Sequence, residues 1–306
     1  DMVGYNDTAQ VKHNFAGNPA SQLWNISLLG LQTWNSIRAL DFLEALPEVD
    51  KSRLACTGES GGGTQTFMLG AVEDRLAAQA PIVMVSHTMQ GGCLCENAPG
   101  LRVEYSNMEI AAVPAPRPQI FVSATGDWTK DTPTVEGPAV ESVYRLFGAA
   151  DKLRYVRFDF GHNYNRTSRE AVYEWFGRWL LKHPAPASLK EAPYQKETDQ
   201  DLRVWPDGKM PADAMNEEAL IEFLTTQSQS QLQAMKPIDQ RSLDRYKRTL
   251  LPAWRHTLQA EFPERGLLME VGEPQKNANY TVTKLTLGRT EKGDRIPGLM
   301  FNPPRD

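Results

Sequence analysis

Ser60 is the residue whose surroundings most clearly suggest chemistry. It stands in the run Gly58-Glu59-Ser60-Gly61-Gly62, which matches the pattern Gly-x-Ser-x-Gly. In that pattern the serine occupies a sharp strand-to-helix turn, and small residues on both sides let the chain pass close to itself. The turn exposes the hydroxyl and aims the next backbone N–H at an oxyanion. We therefore predict Ser60 as a nucleophile and Gly61 as an oxyanion donor.

The pentapeptide occurs by chance too often to stand alone, so its context matters. A short apolar run, 53–57, precedes it and predicts a buried strand, and 61–72 predicts a helix. The alternative is a glycine-rich phosphate cradle at a helix start. No Lys-Ser/Thr pair follows, and the chain has no distant Gly-x-Gly partner for this run, which favours the nucleophile.

A serine hydroxyl needs a neighbouring base that a carboxylate orients. His162 follows the apolar run 155–158 and precedes an amphipathic segment, and Asp127 follows the run 120–122. The order Ser60, Asp127, His162 predicts a catalytic triad at the ends of parallel strands. Rival acids are Asp131 and Asp159. The remaining histidines are less suitably placed: His13, His87, His183 and His256.

Apolar runs alternate with amphipathic segments over residues 1–184, which predicts a parallel sheet with crossover helices. A fourth apolar run, 80–85, completes the predicted strands. The closing helix carries apolar residues from Val172 to Leu180 on one face, with Thr167 or Ser168 as its cap. An earlier helix ends before Pro47 and carries an apolar stripe of Trp34, Ile37, Leu40 and Leu43.

After residue 184 the sequence changes character. Residues 185–215 are polar and carry several prolines, and two helices are predicted at about 216–235 and 238–261 with narrow apolar stripes. Strands are predicted at 267–271, 280–287 and 296–301. These patterns predict a core at 1–184, a polar linker and helical extension at 185–262, and a β segment at 263–306.

The motifs resemble bacterial α/β-hydrolases grouped with the acetyl xylan esterases. The resemblance lies in Leu40–Leu43, Gly58–Gln65, Thr125–Thr129 and Gly161–Asn163, and it covers about 1–184. It implies an α/β-hydrolase fold that lacks its usual first strands, with Asp1–Asn6 as the end of the fourth strand and its loop. It also implies a second oxyanion donor after the third strand, which we assign to no residue of this chain.

The C-terminal strands resemble the opening strands of such a hydrolase. Two explanations are open: a tandem protein whose second unit begins here, which we favour, or a tail that folds back to complete the first sheet. A third interpretation is an independent hairpin packed on the helices.

The segment 87–118 is predicted to roof the substrate pocket. We expect Arg102 and Glu109 to contact substrate there unless they pair with each other, and Glu59 and Trp128 to contact it from beside Ser60 and Asp127. Cys93-x-Cys95 with His87 is a weak zinc signal, and packed thiols are the favoured interpretation.

Composition narrows the function. The chain has 306 residues, a net charge of −5 and 41% hydrophobic residues, which is typical of a soluble globular protein and argues against a nucleic-acid partner. No apolar run reaches the length of a membrane span. We predict a serine carboxylester hydrolase that needs no cofactor or metal and acts on an acylated carbohydrate; alternatives are a serine peptidase or an inactive assembly subunit. Only the resemblance favours a periplasmic or secreted location.

Overall fold

A four-stranded parallel sheet organises the first part of the chain. Its strands lie side by side in chain order. Glu59 pairs in register with Ile82, and Ile82 with Val122, so the carboxyl ends of neighbouring strands meet at one edge. The strands are β1 (Ala55–Glu59), β2 (Ala78–Ile82), β3 (Gln119–Gly126) and β4 (Leu153–Gly161).

All four predicted strands are present, although their bounds differ from the predicted ones by one to several residues. The structure is a computed structural model that describes residues 2–5, 7, 11–259, 266–290 and 292–303. By its internal contacts the chain divides into two units, Asp1–Asp244 and Arg245–Asp306. No helix in the described ranges is both long enough and apolar enough to span a membrane.

The α-helices of the described residues are α1 (Pro19–Leu23), α2 (Leu28–Ala45), α3 (Gly61–Val72), α4 (Asn107–Ala112), α5 (Glu136–Leu146), α6 (Arg166–Trp179), α7 (Glu217–Ala234) and α8 (Gln240–Leu258). Of these, α3 and α5 pack on one face of the parallel sheet and α6 packs on the other. On one face Phe67 of α3 and Tyr144 of α5 pack with Phe121 of β3, and on the other Trp175 of α6 packs against Ile120. These five side chains are almost completely buried, so the core lies on both sides of the sheet.

Two details of the predicted helices are wrong. The cap of α6 is Asn165, whose side chain accepts from the backbone N–H of Ser168, so Thr167 and Ser168 already lie in the first turn. The predicted stripe of α2 holds at Leu40, but Trp34 is 54% exposed, with the guanidinium of Arg38 4.4 Å from its ring centroid. The stacked guanidinium of Arg38 covers part of the Trp34 ring, so Trp34 can lie at the surface instead of in the core.

The N-terminal residues and α7 share one apolar cluster. Val3, Val11 and Phe15 are buried there, and Leu220 and Leu224 of α7 pack against them. Within the segment expected to end a strand, residues 2–5 form turns, and Asp1 and Asn6 lie outside the described residues.

The second unit contains an antiparallel sheet of four strands. They are β5 (Leu267–Val271), β6 (Gln275–Lys276), β7 (Thr281–Arg289) and β8 (Ile296–Asn302). β5 and β8 pair along the two edges of β7, and β6 pairs with one end of it. None of these strands pairs with β1–β4, so the described tail adds no edge to the first sheet. The tandem arrangement stays a prediction.

Candidate active site

Ser60 is the single residue between β1 and α3. Its backbone has φ 58° and ψ −121°, a conformation that residues with a side chain rarely adopt. Its N–H donates to the carbonyl of Ile82 at 3.1 Å, and its carbonyl accepts from the N–H of Thr64 at 3.0 Å. The turn is therefore fixed on one side to β2 and on the other to the first turn of α3. Gly61 begins the helix, so its N–H has no acceptor within α3.

Asp127 lies just beyond β3 with its side chain fully buried. Oδ1 accepts from the backbone N–H of Trp128 at 2.6 Å, and Oδ2 accepts from the hydroxyl of Thr129 at 3.1 Å. The imidazole Nδ1 of His162 lies 3.2 Å from the same Oδ2. These partners fix the carboxylate in one orientation and let it hold one nitrogen of the imidazole.

His162 follows β4 and lies between residues from two other strand ends. The ring of Trp128 packs against it at a centroid distance of 4.4 Å and an angle of 40°. Its other nitrogen, Nε2, lies 3.0 Å from Oε1 of Glu59. The structure gives no hydrogen bond between His162 and the Ser60 hydroxyl, although both belong to described ranges. Glu59 and Trp128, which are predicted to contact substrate, thus both contact the imidazole of His162.

The rival acids contact other groups. Asp159 accepts from the hydroxyl of Thr125 at 2.6 Å, and the backbone carbonyl of Asp131 accepts from the N–H groups of Thr134 and Val135. Among the described residues, the carboxylates that pair with His162 are those of Asp127 and Glu59.

Arg102 and Glu109 do not pair with each other. Each of them forms hydrogen bonds to residues of the 87–118 segment. Arg102 donates to the side-chain oxygens of Asn97 and Asn107 and to the carbonyl of Glu96 at 2.8–2.9 Å. Burial lowers the pKa of Arg102. Glu109 accepts from the backbone N–H of Ser106 at 2.7 Å and caps α4, and the hydrogen bond from the Ser106 hydroxyl lowers the pKa of Glu109. The structure therefore gives these two residues structural contacts within the segment predicted to roof the pocket.

The two cysteines of the 87–118 segment form a disulfide, Cys93–Cys95, so the expectation of free thiols is wrong. A Cβ built on Gly61 would lie 3.5 Å from the Cys95 sulfur, which places this loop against the Ser60 turn. His13, rather than His87, is the histidine near the sulfurs, within 4.8 Å. Zinc binds deprotonated cysteine thiolates, and neither sulfur of the Cys93–Cys95 disulfide is a thiolate. Cys56 is free, and burial raises its pKa.

A second histidine–carboxylate pair joins His87, in the loop after β2, to Glu136, the first residue of α5. The fully buried Glu136 accepts from both the backbone N–H and the Nδ1 of His87, at 2.9 and 2.7 Å. The neighbouring Ser86 donates to the backbone carbonyl of Trp128 at 2.9 Å, which ties this loop to the one that carries Asp127. Sequence reasoning missed this pair, because neither residue lies in a recognisable motif.

The parallel sheet with helices on both faces, and the serine turn at its carboxyl edge, define an α/β-hydrolase fold. No family model matches the chain. In structure it is similar to Methylesterase BT1017, with 26% identity and a TM-score of 0.60 over 76% of this chain and 53% of that one. In sequence it is similar to the putative hydrolase YtaP of Bacillus subtilis (strain 168), with 27% identity over 163 residues, 49% of this chain and 54% of the relative.

A glucuronoyl esterase of carbohydrate esterase family 15 from Caldicellulosiruptor kristjansonii is also similar, with 19% identity and a TM-score of 0.46 over 57% of this chain and 56% of that one. The chain spans about half the length of each of these proteins. The similar proteins are thus named as esterases or as a hydrolase.

Proposed function

We propose that this chain carries the catalytic core of a serine carboxylester hydrolase that acts on an acylated carbohydrate such as acetylated xylan. The observation that carries the proposal is the pairing of His162 Nδ1 with the buried Asp127 Oδ2 at 3.2 Å. Ser60, Asp127 and His162 follow the carboxyl ends of β1, β3 and β4, which supports their acting together. The likeness to Methylesterase BT1017 supports ester hydrolysis. The acetylated carbohydrate rests on the family resemblance of the motifs.

In the proposed reaction the Ser60 hydroxyl attacks the ester carbonyl carbon and passes its proton to Nε2 of His162. Asp127, held by Trp128 and Thr129, keeps the imidazole oriented through Nδ1. The N–H of Gly61 donates to the oxyanion of the tetrahedral intermediate. The alcohol leaves with the proton from His162. A water then gives one proton to the same nitrogen and attacks the acyl carbon. The bond between the acyl carbon and Ser60 Oγ breaks as Nε2 returns that proton to Ser60, and the acid is released.

The first test is labelling by a fluorophosphonate, which reacts with activated serines. We expect one labelled site, Ser60, and no label in Ser60→Ala. Ser142→Ala is a matched control, because that exposed hydroxyl only donates to the carbonyl of Ala139 within α5. Labelling that persists in Ser60→Ala would refute the nucleophile.

The second test is a substrate panel with the full chain. p-Nitrophenyl acetate, acetylated xylo-oligosaccharides, a methyl ester of a uronic acid and a peptidyl anilide are compared. We expect hydrolysis of p-nitrophenyl acetate and of the acetylated oligosaccharide, with losses of several powers of ten in Ser60→Ala. Hydrolysis of the methyl ester alone would overturn the acetyl substrate and keep the esterase. Cleavage of the anilide alone would indicate a peptidase.

A further inference from the structure

His162 lies between two carboxylates, one at each ring nitrogen. Asp127 Oδ2 is 3.2 Å from Nδ1, and Glu59 Oε1 is 3.0 Å from Nε2. An ionised carboxylate only accepts hydrogen bonds, and a neutral imidazole has one N–H to donate. The contact at Nδ1 is a hydrogen bond, and the contact at Nε2 is an ion-pair contact. Glu59 therefore places its carboxylate beside the nitrogen that must act as the base.

The two carboxylates differ in their freedom to move. The Asp127 side chain is fully buried and accepts two further hydrogen bonds, so it cannot leave the ring without losing them. The Glu59 side chain is 32% exposed, and within the described ranges its polar contact is the one with His162. Rotation of Glu59 into water therefore breaks this one ion-pair contact and leaves no buried charge.

We propose that Glu59 is a positioning residue that holds Nε2 of His162 between turnovers and sets the pH at which this base becomes free. The inference rests on the proposed function, in which Nε2 must accept the proton of Ser60. Nε2 cannot do so while it carries a proton. When Nε2 loses its proton, its lone pair repels the Glu59 carboxylate, and the Ser60 hydroxyl can donate to Nε2 instead.

The direction of the pH effect follows from the charges around the ring. A carboxylate within about 4–6 Å favours the protonated form of an imidazole. Asp127 faces it from the end of β3 and Glu59 from the end of β1, and the ring of Trp128 adds no charge. Glu96 faces the Ser60 turn at Gly61, and one of its oxygens already accepts from the N–H of Cys93. Removal of the Glu59 charge alone should let His162 act as a base at lower pH.

The test is the pH dependence of kcat/KM for the full chain and Glu59→Gln. We expect the acid-side midpoint to fall by roughly one to three pH units in the variant. At a pH well below both midpoints, the variant should be about tenfold faster than the unsubstituted chain for each pH unit by which its midpoint falls. Glu59→Asp keeps the charge on a shorter side chain and should lie between the two. Glu48→Gln, on an exposed turn after α2, should keep the original midpoint.

A second measurement does not depend on hydrolysis. The imidazole of His162 is followed by NMR through a pH titration, its signal assigned by its loss in His162→Gln. The titration midpoint should fall in Glu59→Gln as the kinetic one does. A lower midpoint without hydrolysis of any ester would support the role of Glu59 while the proposed function fails. Equal titration midpoints with and without the Glu59 charge would overturn the inference.

Discussion

The α-carbon of Gly58 faces the backbone of Gly62 across the Ser60 turn, and a Cβ on Gly58 would lie 2.4 Å from the carbonyl oxygen of Gly62. The reverse does not hold, because a Cβ on Gly62 would meet no atom within 4 Å. The sequence pattern predicts that both outer glycines are needed for the close approach. The structure restricts that requirement to Gly58.

Gly58→Ala should therefore disrupt the turn, because the obstructing atom belongs to the backbone and cannot rotate away. We expect a loss of about 1–3 kcal/mol in the free energy of unfolding, measured with urea, and slow fluorophosphonate labelling of Ser60. Gly62→Ala is the matched control. It lies inside α3, where alanine is the better helix former by about 0.5–1 kcal/mol, so stability should hold or rise. Equal losses in the two variants would contradict this account.

Asp127→Asn should remove activity while leaving the fold intact. The amide fills the same volume, but it can hold His162 in the wrong tautomer, a change that costs roughly 10⁴-fold in kcat in a serine protease triad. Asp131→Asn is the control, since that side chain is not paired with the imidazole in the structure. We expect kcat/KM on p-nitrophenyl acetate to fall in the first variant and to hold in the second. Similar losses in both would reassign the acid.

Local patterns predicted the four parallel strands and helices α2, α3, α6, α7 and α8, but they did not predict α1, α4 or α5. Helix 61–72 has the predicted bounds because the glycine run fixes its start, and Glu73 and Asp74 follow its end. The apolar runs predicted all four parallel strands. The reason is clearest for β2 and β3, which are buried along most of their length and therefore favour apolar side chains on both faces. The strand bounds shifted because hydrogen bonding to a neighbour, which no single run encodes, decides where a strand ends.

Long-range side-chain contacts were beyond those patterns. Glu59 is the last residue of β1. Nothing in the sequence around it shows that His162, which follows β4, lies beside it. Arg102 and Glu109 were expected at the substrate because they are charged, yet each satisfies its charge within its own loop. The cap of α6 was misplaced because Asn165 and Ser168 are both suitable capping residues, and only the backbone angles distinguish them.

A cluster around Arg75 should make stability fall in acid. Arg75 donates to Asp41, Glu44 and Glu73 at 2.6–2.7 Å, and its hydrogen bond lowers the pKa of Glu73 from 4.5 to about 2. Because the folded-state pKa is depressed, the unfolded chain binds the proton first. The contribution is thus complete above pH 4.5 and is lost as pH falls towards 2.

Urea unfolding at several pH values between about 5 and 2 measures this dependence. Arg75→Met should show a shallower fall over that window than the unsubstituted chain. Arg178→Met is the control, because its guanidinium stacks on Trp179 and its removal should leave the slope unchanged. Parallel slopes in all three proteins would show that the Arg75 cluster does not contribute.

The pair of His87 and Glu136 should contribute to stability rather than to the chemical step. Glu136 is the first residue of α5, where the helix dipole favours its negative charge. Its second carboxylate oxygen is buried and has no hydrogen-bond partner among the described residues. His87→Ala removes one of the two donors to this buried carboxylate. We expect a loss of about 1–3 kcal/mol in the free energy of unfolding at neutral pH, measured with urea. His183→Ala is the matched control, because that ring accepts one exposed hydrogen bond, from the N–H of Ala185. If His87→Ala retains full stability but loses kcat/KM, the residue acts in the reaction rather than in stability.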